Sequence, residues 1–118
     1  MVSLTKAPSI IVSEKNTVAI AADGDTSEPL VCAGNTFLGV IVPQDWTTAN
    51  ITFEGSLDGL NFYPVLDMAG GAVTITFTVD TAYYSVLPVY FAGLLAIKFV
   101  SSVPQVDDVV LTAALRPI

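Results

Sequence analysis

The stretch Ile51-Thr-Phe-Glu-Gly-Ser-Leu-Asp-Gly-Leu-Asn-Phe-Tyr-Pro-Val65 predicts a β-hairpin, around which the rest of the chain can be interpreted. Apolar and polar residues alternate from Ile51 onward, which is the period of a half-buried strand. Asp58-Gly59 then supplies turn residues, because Asp tolerates the left-handed backbone region and Gly enters it freely. The apolar pattern resumes from Leu60 to Val65, which predicts the returning strand.

Short strand-like segments recur along the rest of the chain, separated by turns rich in Gly, Pro, Asn and Asp. The clearest runs from Val73 to Val79, where β-branched and aromatic residues alternate with threonines. Phe37 to Val42 is a near-continuous apolar strand, and Val109 to Leu115 is the last one. No segment has the pattern of a long amphipathic helix. We therefore predict an all-β fold, an antiparallel β-sandwich of about eight to ten short strands, with a jelly roll as the favoured topology.

The chain of 118 residues has the length of one domain. Residues 1–9 contain Pro8 and have no hydrophobic periodicity, so we predict an extended N-terminal arm, either disordered in isolation or docked on a neighbour. Residues 10–118 form the predicted single β-sandwich domain, beginning with a strand at Ile10 to Val12. Met1 to Lys15 lacks the apolar core of a signal peptide, so synthesis and folding in a cytoplasm are expected.

The composition is unusually apolar for a small domain, with 53% hydrophobic and 13% charged residues. A two-sheet sandwich needs apolar residues only on its inner faces, because its outer faces can be polar. This chain has more apolar side chains than one such core requires. We expect the surplus to lie on the surface, with another protein as the favoured partner.

Neither a membrane nor a nucleic acid is an expected partner. The longest uncharged runs, Pro29 to Gln44 and Thr81 to Ile97, are shorter than the roughly 20 apolar residues of a membrane-spanning helix. The net charge is −7, and the four basic residues are scattered along the chain, which argues against binding to phosphates. The basic residues are Lys6, Lys15, Lys98 and Arg116. The acidic excess favours solubility of an apolar subunit before assembly.

The residue inventory argues against an enzyme and indicates no cofactor. There is no histidine, and Cys32 is the one cysteine, so Ser-His-Asp, Cys-His and common zinc arrangements are absent. Cys32 lies in an apolar run and is interpreted as a small buried hydrophobic residue. Glu54 and Asp58 could pair as acid and base in a glycosidase, but their place on a hairpin favours solvated turn carboxylates.

Two further motifs have simple structural interpretations. Asp23-Gly-Asp-Thr-Ser-Glu28 places oxygen ligands at calcium-like spacing. It lacks the required glycine at Glu28 and the bidentate glutamate at Gly34, so an acidic turn is favoured over a calcium site. Asn50-Ile-Thr52 matches a glycosylation sequon, but a strand start is the simpler interpretation.

A set of aromatic residues provides the candidate interface. Tyrosine and tryptophan suit surfaces that are apolar at one end and wet at the other. Three alternatives remain open for the set, namely core packing, a protein interface, and a platform on which sugar rings stack. The candidate residues are Trp46, Tyr63, Tyr83, Tyr84, Tyr90 and Phe91.

Two resemblances rest on quoted motifs. Ser56-Leu-Asp-Gly-Leu-Asn-Phe62 resembles a turn of discoidin-like and other carbohydrate-binding jelly rolls. A longer resemblance, to small β-sandwich structural proteins of tailed bacteriophages, covers about Ile51 to Ile118. Its motifs are the opening stretch, Val73-Thr-Ile-Thr76, Phe91-Ala-Gly-Leu94, Ile97-Lys-Phe99 and Leu111-Thr-Ala-Ala-Leu-Arg-Pro-Ile118.

The phage resemblance implies a virion structural protein that decorates or cements the capsid, commonly as a homotrimer. The implied partners are the major capsid protein and copies of the chain itself, and the implied location is the capsid surface after synthesis in the host cytoplasm. The charged cluster usual before the final strand is reduced here to Asp107-Asp108, and the first 50 residues have no counterpart. The alternatives are a carbohydrate-binding module on a virion surface, with a glycan as ligand, and a tail or baseplate adaptor.

Overall fold

The computed structural model describes residues 16–117, which form eight β-strands and one 3₁₀ helix. The predicted arm at residues 1–9 and the predicted first strand at Ile10 to Val12 lie outside the described residues. The strands are β1 Thr17–Ile20, β2 Leu30–Val31, β3 Thr36–Val42, β4 Ile51–Ser56, β5 Tyr63–Pro64, β6 Ala82–Ser85, β7 Ala96–Ser101 and β8 Val109–Arg116. The 3₁₀ helix is Pro88–Tyr90. No helix in the described part of the chain is long and apolar enough to cross a membrane.

The strands form two antiparallel four-stranded sheets, which confirms the predicted all-β class. Sheet 1 has the strand order β1-β8-β3-β6, and sheet 2 has the order β2-β7-β4-β5. Every strand pair within the two sheets is antiparallel. The jelly-roll topology stays a prediction at this point.

Four buried phenylalanine rings join the two sheets into one core. Phe37 comes from sheet 1, Phe53 and Phe99 come from sheet 2, and Phe91 follows the 3₁₀ helix. The Phe37 ring lies 5.0 to 5.5 Å from the other three, centroid to centroid, at tilted or edge-to-face angles. Such pairs add about 0.5–1.5 kcal/mol each beyond the area they bury. Cys32 is buried in the same core, as predicted.

The segment Val73 to Val79 is not the regular strand that its alternation predicts. Val73 and Ile75 are buried between exposed threonines, so the alternation describes the side chains correctly. However, the backbone makes only isolated bridges, including the pair Ile51–Ile75. Ile75 lies opposite Ile51, which is the first residue of β4. The residues after Ile75 therefore have no β4 residue opposite them. Side chains take over its backbone hydrogen bonds instead.

The hydroxyl of Tyr84 makes most of these replacement bonds. It donates to the carbonyl of Val79 at 2.6 Å and accepts from the backbone N–H groups of Thr78 and Val79 at 3.0 and 2.9 Å. The Asn50 side-chain oxygen accepts from the N–H of Phe77 at 2.9 Å. These bonds hold the segment in place without a ladder.

Candidate interaction surfaces

The hairpin turn after β4 is a loop of residues 57–62, longer than the tight turn that Asp58-Gly59 predicts. Strand β4 pairs with β5 through Glu54–Pro64 and Gly55–Tyr63 only. Gly59 has a φ of 81°, a conformation that glycine adopts without strain. Asp58 does not use the left-handed region; its carboxylate organises the loop instead.

The carboxylate of Asp58 accepts four hydrogen bonds within this loop. One oxygen accepts from the Leu60 and Asn61 N–H groups and from the Ser56 hydroxyl, at 2.8, 2.9 and 3.0 Å. The other accepts from the Asn61 side-chain amide at 2.8 Å. The backbone N–H groups of Asn61 and Leu60 are the main reason that the pKa of Asp58 lies well below its usual range. Asp58 therefore stays ionised and serves as a turn carboxylate, since a catalytic acid would need a raised pKa.

Glu54 lies apart from this network, on the outer face of sheet 2, directly opposite Lys98 on β7. The Lys98 ammonium lies 4.4 Å from the centre of the Phe62 ring, a cation–π distance. The two carboxylates of the acid–base hypothesis thus have separate structural surroundings.

The carboxylates of the calcium hypothesis also have separate partners. Asp25 accepts from the Thr26 hydroxyl, and Glu28 accepts from the backbone N–H of Ala19. Within residues 16–117, no three carboxylate or cysteine side chains come together to hold a metal ion.

The loop of residues 57–62 presents exposed leucines beside a groove at the same end of the sandwich. Leu57 and Leu60 are 77% and 83% exposed, and Leu60, where the apolar pattern of the predicted returning strand resumes, lies in the loop. The neighbouring Asp58-Gly59 turn signal could have indicated this exposure. A side chain at the tip of a loop has no sheet packed over it. The groove has a volume of about 460 Å³ and is mainly apolar. Its lining includes Leu57, Asp58, Asn61, Tyr63, Leu66, Tyr90 and Leu94.

We call the exposed leucines and the groove together the apolar end. Its exposed members are Leu57, Leu60, Tyr63 and Leu66, with exposed fractions of 51% to 83%. The predicted surplus of apolar side chains is therefore present on the surface of the described chain, and this end concentrates part of it.

The six candidate aromatic residues divide among four places. Trp46 and Phe91 are core residues, 6% and 1% exposed, which corrects their assignment to an interface. Trp46 lies in the loop before β4, where its indole N–H donates to the carbonyl of Ala49 at 3.1 Å. Trp46 therefore cannot stack on a sugar.

Tyr63 and Tyr90 line the groove of the apolar end. The half-buried Tyr84 holds the Val79 segment through its hydroxyl, as described above. Tyr83 is 52% exposed and lies on the outer face of sheet 1, across Gly39. Of the six candidates, Tyr63 and Tyr90 thus remain at the apolar end and Tyr83 on the outer face of sheet 1.

Comparisons of the chain with protein-family models, curated proteins and solved structures found no match. A function must therefore be inferred from the chain's own residues and surfaces.

Proposed function

We propose that this chain is a virion structural protein that decorates or cements the capsid of a tailed bacteriophage. The observation that carries the proposal is the apolar end, an exposed group of large side chains on a sandwich in which residues 16–117 form no metal-ligand cluster. Reinforcing a shell requires buried area between subunits and no catalytic group. The proposed location is the capsid surface, after synthesis in the host cytoplasm.

The strand order supports a jelly roll, which we include in the proposal. The first and last strands of the described chain, β1 and β8, are neighbours in sheet 1. The same relation holds for β2 and β7 in sheet 2, and for β3 with β6 and β4 with β5 farther along each sheet. This nesting of strand pairs is typical of an eight-stranded jelly roll, an architecture found in viral capsid and lectin domains. The fold alone does not decide between those uses.

The Asp58 network explains how the apolar end could bind a capsid protein. Four hydrogen bonds to one carboxylate fix the loop that carries Leu57 and Leu60. A loop ordered before binding loses less conformational entropy when its side chains enter a partner's surface. The proposed partner surface is an apolar surface of the major capsid protein. Copies of the chain are also proposed to contact one another. The phage resemblance gives a homotrimer as the expected assembly.

The test is co-sedimentation with capsids prepared without this protein. We expect the wild-type chain to sediment with them, and Leu57→Asp with Leu60→Asp to weaken binding by about tenfold or more, because charges would enter an apolar contact. Val106→Asp is the control, since Val106 is 69% exposed but lies in the loop before β8. Failure of the wild-type chain to bind capsids would refute the proposal. Binding to isolated tails in place of capsids would favour the tail or baseplate adaptor.

The groove supports one alternative, a carbohydrate-binding module. Tyr63 and Tyr90 offer aromatic rings there, and Asn61 offers an amide beside them. Rings and amides of this kind suit a sugar with one apolar and one polar face. A glycan array with wild-type chain and Tyr63→Ala tests this alternative: binding that the substitution removes would support it, and an array without binding would exclude it.

A further inference from the structure

The outer face of sheet 1 has three consecutive rows of paired residues without a charged side chain. The register places Thr17, Thr112, Ile41 and Tyr83 in one row across all four strands. A second row pairs Ala19 with Val110, and a third joins Ala114, Gly39 and Ser85. We call these nine residues the uncharged face. Ile41, Tyr83 and Val110 are 45%, 52% and 52% exposed, so large apolar groups on this face reach solvent.

The outer face of sheet 2, in contrast, carries charged side chains on its central strands. There Glu54 and Lys98 lie directly opposite each other on the central strands β4 and β7. A chain with a net charge of −7 repels a second copy over most of its surface. On the described part of the chain, the uncharged face is a surface where two copies can approach without burying or opposing like charges.

We propose that the uncharged face binds the same face of a second copy, related by a two-fold axis that passes beside Thr112 and runs perpendicular to strand β8. Such an axis reverses the strand direction, so Val110 lies over the partner's Ala114. Residues 108 and 116 are equally distant from Thr112, so Arg116 lies beside the partner's Asp108. The inference rests on the part of the proposed function in which copies contact one another, and it does not require a capsid.

Charge complementarity selects the second copy as the occupant. Even-numbered residues from 110 to 116 point to the outer side of β8, because the odd-numbered residues Val109, Leu111 and Leu115 are buried. Asp108 directly precedes β8 and is exposed, and its carboxylate accepts a hydrogen bond from the Ala22 N–H at 2.8 Å. Arg116 is the last residue of β8, so an acidic and a basic residue flank the uncharged face at opposite ends of the strand. In a reversed copy, Asp108 of each chain lies beside Arg116 of the other, which gives two pairs of opposite charge. A parallel copy would place like charges together.

The area of the face predicts a weak dimer. Each residue on one side of a strand covers about 4.8 Å by about 6.8 Å, so the nine residues cover about 300 Å² on each copy. This is less than half of what a standard interface buries per partner, about 800 Å². We therefore expect a concentration-dependent dimer, with sheets packed about 10 Å apart as in other face-to-face packings.

The first test is sedimentation equilibrium of the wild-type chain and two matched variants from about 10 μM to about 1 mM, a range suited to a small interface. Thr112→Glu places two carboxylates at the axis and should weaken the dimer by about tenfold or more. Thr52→Glu is the control, because Thr52 has the equivalent outer position on β4 of sheet 2 and should leave the dimer intact. Circular dichroism checks that both variants fold.

The second test is a charge exchange. Arg116→Glu alone and Asp108→Arg alone should each weaken the dimer, and the double variant should restore it. A third test uses Thr112→Cys with a short bifunctional maleimide reagent, which should link the introduced thiols across two sheets packed about 10 Å apart, whereas Thr52→Cys should not be linked. Native Cys32 is buried and does not interfere.

Three results would overturn the inference: a monomer at every concentration, equal effects of Thr112→Glu and Thr52→Glu, or a trimer that Thr112→Glu leaves unchanged. An introduced thiol at position 112 that neither cross-links nor reacts with a soluble reagent would show that the chain's own residues 1–15 cover the face, which also overturns it. A dimer that forms without capsid binding would refute only the proposed function. Capsid binding by a monomer would refute only this inference.

Discussion

The buried side chain of Gln105 should contribute about as much stability as a core residue, although it is polar. It is 1% exposed and makes three side-chain hydrogen bonds. Its oxygen accepts from the N–H of Thr47 at 2.8 Å, and its amide donates to the carbonyl of Thr47 at 3.1 Å and to the hydroxyl of Ser101 at 3.0 Å. Its backbone also bonds to Asp23 and Gly24, at 2.7 and 2.9 Å. Gln105 thus joins three loops at one end of the sandwich.

We expect Gln105→Ala to lower the free energy of unfolding by about 3 kcal/mol. Each lost hydrogen bond is worth about 1 kcal/mol net, and the backbone groups of Thr47 would be left without their partners. The measurement is urea unfolding followed by the fluorescence of Trp46, which lies next to Thr47. Gln44→Ala is the matched control, because Gln44 is exposed in the same loop and its loss should cost no more than about 0.5 kcal/mol.

The variant Gln105→Glu separates hydrogen bonding from packing, because it keeps the size of the side chain. Burial and the lost amide donors should raise the pKa of the introduced carboxyl above its usual value of about 4.3. The destabilisation should therefore be smallest below about pH 4 and should grow as pH rises past the unfolded pKa, up to the folded pKa. A loss below about 1 kcal/mol for Gln105→Ala, or a pH-independent Gln105→Glu, would refute the assigned role.

Three further predictions concern the turn, the sheet and the core. Because the folded pKa of Asp58 is lowered, its contribution to stability should be present above the unfolded pKa of about 3.9 and lost as pH falls below it; Asp58→Asn should remove this part of the pH dependence in urea unfolding. Gly39→Ala should cost about 1–3 kcal/mol in the same assay, since the new methyl would meet the Tyr83 ring and lie 2.6 Å from the Tyr84 carbonyl, whereas Gly71→Ala meets only ordinary contacts. Burial raises the pKa of the Cys32 thiol, so a disulfide reagent should label it at the rate of unfolding, and rapid labelling of the native chain would contradict this.

Much of the fold could be predicted because side-chain alternation is a local property of a strand. The burial of Val73 and Ile75 and the course of β4 from Ile51 follow from their own neighbours in sequence. A local pattern does not identify the strand on the other side, however. The segment after Ile75 therefore has strand-like side chains but no ladder, because β4 begins at Ile51.

The candidate surfaces were less predictable. Aromatic type alone did not separate Trp46, which is in the core, from Tyr63, which is on the surface, because both residues suit both environments. Hydrophobicity alone likewise included Leu60 in the apolar pattern of the returning strand, although the Asp58 network holds it in the loop.

The sequence by itself determined an all-β chain without histidine chemistry and with more apolar side chains than its core could hold. Only the tertiary structure decided where that surplus lies. Thr17, Ile41, Tyr83 and Thr112 form one uncharged row because β1, β3, β6 and β8 are neighbours in sheet 1. The physical reason is that alternation fixes which side of its own strand a residue occupies, whereas strand pairing between distant segments decides which residues share a face.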